Sequence, residues 1–176
     1  MVFAYRIMGA AMLDQATFEE IEGDRTATAQ AMGVVLLASL SAGIGLGGLD
    51  AGHPVSFVFV SGAALLTWAV WALVTFQVGA RLLPEPQTRV DVGELLRTLG
   101  FSAAPGLLQV FGVVPGLRGP LFAFTAVWML ASMVVAVRQA LDYSTIARAF
   151  AVCVIGWLLA FTIAVILGLV YGPTLS

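Results

Sequence analysis

Hydrophobic residues follow one another in long runs along this chain, without the regular polar positions of a soluble domain. Three runs carry no charged residue, at 29–49, 55–78 and 120–137, and a fourth, at 146–171, carries one arginine near its start. About 20 apolar residues in a helix are enough to cross a hydrocarbon core about 30 Å thick. The pattern therefore predicts four membrane-spanning helices outside the central part of the chain.

The central stretch, 91–117, differs from these runs because charges and prolines enter it. Asp91 followed by Glu94 has the spacing of a capping box, which predicts that a helix begins there. Glu94 and Arg97 are three residues apart, close enough on a helix for an ion pair. We expect this polar half to lie at the membrane interface, with Arg97 reaching the lipid headgroups.

The apolar half of the stretch, 102–117, is short for a span, because it supplies only about 24 Å of helix. Pro105 lacks a backbone donor and should kink the helix, and the freed carbonyl needs a partner such as Ser102 or a neighbouring helix. Two structures fit: a kinked span that begins near Glu94, or a re-entrant hairpin. We expect the Gln109 amide to find a partner across a helix interface, with lining of a polar pocket as the alternative.

Residues 1–28 are predicted to form a cytoplasmic or interfacial helical segment that precedes a transmembrane helical bundle at 29–176. Apolar residues at helical spacing in the first turns predict a short helix on the membrane surface, and Asp14 is placed to cap a second one. Five acidic residues fall between Asp14 and Asp24 inclusive. We interpret them as a solvated face, and a docking surface for a basic partner is the alternative.

Small residues recur every four positions in the first hydrophobic run, at Ser39, Gly43 and Gly47. Strips of this kind let helix backbones approach closely in lipid. We interpret the strip as a packing face inside the bundle, and a homodimer seam is the alternative.

The composition supports a membrane protein of one domain. The chain has 176 residues, of which 60% are hydrophobic and 10% charged, whereas soluble domains have about 45–50% and about 25%. So few charges cannot cover a folded surface in water, so the lipid bilayer must cover most of it.

Residues that carry chemistry are sparse. The chain has one histidine, His53, and one cysteine, Cys153, which are too few for a metal cluster built on histidines. The uncharged runs hold no ionisable group at the depth where pumps and transporters place them. We therefore expect a protein that is not an enzyme, with no cofactor, no bound metal and no nucleic-acid partner.

Arginine placement predicts the topology. With five spans and a cytoplasmic N-terminus, seven of the eight arginines fall on the cytoplasmic side and only Arg118 falls outside, as the positive-inside rule favours. The predicted fold is therefore an all-α, polytopic integral membrane protein with five transmembrane helices, a kinked or re-entrant third segment, amphipathic interfacial helices and an external C-terminus.

Three segments together resemble bacterial members of the Yip1 family: FEEIEGDRTATAQA (18–31), ELLRTLGFSAAPGLL (94–108) and VWMLASMVVAVRQALDYS (127–144). The resemblance covers nearly the whole chain. It implies a multi-pass protein of the bacterial inner membrane with about five spans and a cytoplasmic N-terminus. Eukaryotic relatives contact Rab-type GTPases, but the D-L-Y-G-P motif they carry near the first span has no match here.

The leading functional hypothesis is a non-catalytic protein of Yip1 type that binds other membrane proteins, or itself, or organises the bilayer. Its candidate contact residues lie in the cytoplasmic connections, at Glu94, Arg97, Arg138 and Asp142. A small permease or channel component is the alternative, with its gate at Ser102, Pro105 and Gln109, where the helix is broken. An accessory subunit of a larger membrane complex is a third possibility.

Overall fold

The computed structural model describes the backbone of residues 2–47 and 54–171, and the side chains of residues 2–46, 62, 64–159 and 162. These residues form helices and turns, with no strand among them. The chain order is α1 (Val2–Ala11), α2 (Gln15–Gly23), α3 (Ala27–Gly47), α4 (Pro54–Phe76), a π-helix (Gln77–Leu82), α5 (Val92–Phe101), a 3₁₀ helix (Ala104–Val113), α6 (Arg118–Ala140) and α7 (Ile146–Tyr171).

Three segments of these helices are long and apolar enough to cross a membrane: Ala27–Leu46, Ala64–Leu82 and Arg118–Ala140. Large apolar side chains stand exposed on their outer surfaces, such as Leu66 at 66% and Val127 at 69%. Exposed leucine and valine on this scale are stable in lipid and not in water. The predicted membrane class is therefore supported by helix length, helix composition and the surface that the fold leaves uncovered.

The central stretch changes helix type where the sequence places its proline. Helix α5 ends at Phe101, and a 3₁₀ helix continues from Ala104, with Pro105 buried in its first turn. A 3₁₀ helix rises about 2.0 Å per residue against 1.5 Å for an α-helix. Its ten residues therefore extend about as far as 13 α-helical residues would.

This stretch runs beside α3 in the same direction. Gly100 packs against Ala31, Gly106 packs against Ala38, and Gly112 lies beside Gly45. Residue numbers increase in the same direction along α3 and along the central stretch. Helix α5 and the 3₁₀ helix therefore run parallel to α3 as far as Gly45, near the last turn of α3. Glycine allows this approach because it has no side chain to separate the two backbones.

The packing face predicted for α3 is wrong at Gly43. Gly43 is exposed, and a Cβ added there would meet no atom within 4 Å. The glycine that packs is Gly45, two residues later, while Ser39 lines a cavity. The surroundings of Gly47 fall outside the described residues. The face of α3 that packs therefore contains Gly45 and not Gly43, because the partner of α3 is the 3₁₀ helix.

Helices α1 and α2 pack into the same core as α3, α5 and α6. Phe18 and Ile21 of α2 are fully buried, in a cluster with Phe101. The last carbonyls of α1 accept hydrogen bonds from α6, from Ser132 Oγ at 3.1 Å and from Trp128 Nε1 at 2.7 Å. The predicted cap of α2 is confirmed, since Asp14 accepts from the backbone N–H of Thr17.

Candidate functional site

Charged and polar side chains gather at one end of the bundle. We call this the polar end; it comprises Arg6 of α1 and the residues 15–28, 77–97 and 138–148. Hydrogen bonds tie these pieces together across long distances in sequence.

Arg6 is buried at the polar end, with 4% of its surface exposed. Its guanidinium donates to Glu20 at 3.0 Å, to Asp24 at 2.7 Å and to Gln30 at 3.0 Å. Hydrogen bonds from Thr26 and from Arg6 lower the pKa of Asp24 to about 2. Two of the five acids interpreted as a solvated face, Glu20 and Asp24, are thus ion-paired with Arg6, although Glu20 stays exposed.

Arg97 does not reach the headgroups, and that prediction is wrong. It is 6% exposed, and its Nε donates to the backbone carbonyl of Glu22 at 3.0 Å. The predicted ion pair with Glu94 does not form, because the arginine is buried between α2 and α5 and takes its acceptor from α2. Arg97 therefore holds α2 against α5.

Glu94 completes the capping box that the sequence predicted. Its carboxylate accepts from the Asp91 N–H at 2.7 Å, and Asp91 accepts from the Glu94 N–H at 2.8 Å. Its negative charge also acts on Glu22. Partial burial, together with the charges of Glu94 and Asp142, raises the pKa of Glu22 to about 7, although Arg97 opposes the shift.

Arg138 and Asp142 line one polar pocket of about 500 Å³ at this end, together with Gln87, Gln139 and Tyr143. Arg138 Nε donates to the Tyr143 carbonyl at 3.3 Å, and Gln87 donates to the Asp142 carbonyl at 3.1 Å. The Asp142 side chain is exposed, and its backbone has a φ of 51°. Aspartate tolerates this left-handed conformation better than most residues.

The wall of this pocket is held by two residues that sequence reasoning missed. The Tyr143 hydroxyl lies 2.9 Å from the carbonyl oxygens of both Gly79 and Leu83, at the π-helix. The Glu85 carboxylate accepts from Ser144 Oγ at 3.0 Å and pairs with Arg148 at 3.1 Å. The prolines on either side of Glu85 indicate only a turn, so no signal in the sequence could have assigned these contacts.

A second cavity, of about 480 Å³, lies between the middle parts of α3, α4 and α6. It brings together two of the predicted pocket residues, Ser102 and Gln109, while Pro105 does not line it. Gln109 Nε2 donates to Thr125 Oγ1 of α6 at 3.0 Å, as expected of an amide seeking a partner across a helix interface. Ser102 Oγ donates to the Leu99 carbonyl at 2.7 Å, near the end of α5.

Among the described residues, no group of three His, Cys, Asp or Glu side chains could hold a metal ion. No family model, curated protein sequence or solved structure matches this chain. The resemblance to the Yip1 family therefore stays a prediction.

Proposed function

We propose that this protein is a five-span, non-catalytic membrane protein of Yip1 type, which binds a partner protein through the polar end of its bundle. The observation that carries the proposal is the distribution of charge. The described residues 27–46, 64–80 and 119–137 hold no charged side chain, and a pocket lined by Arg138 and Asp142 is open at the polar end.

Five spans are supported by the course of the central stretch. Helices α3, α4 and α6 contain segments of span length, and α7 is apolar through 146–159. The fifth span would be α5 with the 3₁₀ helix, because this stretch follows α3 until Gly45. A re-entrant hairpin would have to turn back before that point. The polar end then carries seven of the eight arginines and faces the cytoplasm at the bacterial inner membrane.

The pocket favours a partner that presents charges of both signs. Arg138 offers the guanidinium nitrogens other than Nε, and Asp142 offers an exposed carboxylate. In contrast, Arg97 and Glu94 are occupied within the protein, so they support the surface without contacting the partner. Charged pairs at such a rim set specificity and association rate more than affinity.

The test uses chemical cross-linking in intact membranes followed by purification in mild detergent. The double variant Arg138→Gln, Asp142→Asn removes both charges, and asparagine keeps the left-handed backbone accessible. We expect the yield of the cross-linked partner to fall about tenfold. Glu19→Gln is the matched control, because Glu19 is an exposed acid of the polar end that does not line the pocket. Equal yields from the double variant and the control would refute the proposal.

A small permease is the second candidate, favoured by the cavity that Ser102 and Gln109 share. Its test is solute flux into liposomes that contain the purified protein. Saturable uptake that is lost in Gln109→Leu would establish transport and refute the leading proposal. Flux that is unaffected by Gln109→Leu and by Pro105→Ala would count against the permease.

A further inference from the structure

The cavity at mid-depth is formed by helices that contain span-length segments. Its walls on α3 run from Val35 to Ala42, and those on α6 run from Ala126 to Met133, the middle of both helices. Val35 is eight residues from the start of α3, a distance of about 12 Å along the helix. This depth is that of hydrocarbon and not of lipid headgroups.

Three polar residues that line the cavity already donate hydrogen bonds within the protein. Ser102 donates to the Leu99 carbonyl, and Gln109 donates to Thr125. Trp68 Nε1 likewise donates to the Leu96 carbonyl at 3.0 Å. These donors are therefore not available to a polar solute. Most of the remaining lining is alanine, valine, leucine and methionine, and methionine side chains adapt to irregular apolar shapes.

The cavity opens sideways on the outer surface of α6. Ala126 and Leu130 line it and are themselves exposed, and Val127 beside them belongs to the apolar outer surface. The opening is thus continuous with the surface that lipid must cover. From this continuity, the depth and the apolar walls, we propose that the cavity binds the distal part of an acyl chain of a membrane lipid. Its volume of about 480 Å³ is typical of small-molecule sites.

The experiment is photolabelling of the full chain in vesicles of phosphatidylethanolamine and phosphatidylglycerol. The probe is a phospholipid with a diazirine near the end of one acyl chain, and mass spectrometry locates the adducts. We expect adducts on Met129 and Met133, which line the cavity, to exceed those on Val127 about tenfold. Val127 is the internal reference, because it is exposed on the same helix and does not line the cavity.

Two variants of α6 form a matched pair. Ala126→Trp fills the opening and should lower the cavity adducts about tenfold, whereas Ala123→Trp places the same side chain on an exposed position outside the cavity and should leave them unchanged. Equal labelling of Val127 and the two methionines would overturn the proposal, and this result does not depend on either variant folding. Cross-links between two copies of the chain at these methionines, in place of lipid adducts, would also overturn it.

Discussion

Replacing Gly45 by alanine should force apart two helices that touch backbone to backbone. A Cβ added to Gly45 would come closer than 3.0 Å to the carbonyl oxygen of Gln109 and would stand 3.0 Å from the carbonyl carbon. No side-chain rotation can relieve a clash with the backbone. Phe122 Cε2, 3.2 Å from the same position, restricts the space further, so the 3₁₀ helix must move away from α3.

The expected magnitude follows from two opposing effects. Overpacking that shifts a backbone typically destabilises a protein by about 1–3 kcal/mol, and alanine regains up to about 1 kcal/mol over glycine in a helix. Because the clash is with backbone atoms, the upper part of that range applies, about 2–3 kcal/mol, and the net loss in the free energy of unfolding is about 1–2 kcal/mol. For a chain of this length it lowers the melting temperature by about 2–8 °C, which thermal unfolding in a single detergent can measure.

The control is Gly43→Ala, two residues earlier on the same helix. A Cβ at Gly43 meets no atom within 4 Å, so this variant should melt at the wild-type temperature or slightly above it. If Gly45→Ala and Gly43→Ala melted at the same temperature, the parallel packing of the 3₁₀ helix against α3 would be refuted.

Three further predictions concern the polar end. The pKa of Glu22 is about 7 in the folded protein against 4.5 as its ordinary value, so the fold binds this proton more tightly than the unfolded chain and loses stability as the pH rises from about 4.5 through 7. Glu22→Gln should therefore raise the free energy of unfolding at pH 8 by about 1–2 kcal/mol after allowance for partial exposure, and by much less at pH 5. Thermal unfolding at the two pH values measures this, and the same gain at both would contradict it. Tyr143→Phe removes the single hydroxyl proton that lies between the carbonyl oxygens of Gly79 and Leu83 and should cost about 1–3 kcal/mol, with faster hydrogen exchange confined to 77–83. Unchanged exchange there would count against the contact. Arg6→Met removes a buried guanidinium from two carboxylates and should lower the free energy of unfolding by about 1–3 kcal/mol; the loss is no larger because the carboxylates can be rehydrated. Arg6→Lys should recover only part of this loss. Full recovery in Arg6→Lys would show that the planar guanidinium is not needed to bind both carboxylates.

Features that depend on neighbouring residues in the sequence were predicted correctly. The capping box joins Asp91 to Glu94, and the cap of α2 joins Asp14 to Thr17; in both pairs the partners are three residues apart, so the helix itself brings them together. The length and composition of the apolar runs likewise predicted the three segments of span length that the described residues contain, because crossing hydrocarbon requires about 20 apolar residues whatever the neighbours are. The count of five spans stays a prediction.

The candidate site was predicted only in part, because its contacts join distant residues. The sequence could not indicate that Arg97 turns to the carbonyl of Glu22, since a backbone acceptor 75 positions away leaves no trace in local spacing. Tyr143 and Glu85 were missed for the same reason.

The sequence by itself determined that this chain is helical, that three of its described segments are long and apolar enough to cross a membrane, and where α2 and α5 begin. Only the tertiary structure decided which glycine of α3 meets another backbone, which arginines are buried and which side chains surround the two cavities. Local hydrogen bonding and hydrophobicity act within a few residues, whereas the rotation of α3 about its axis is set by the 3₁₀ helix packed against it, more than 50 positions further along the chain.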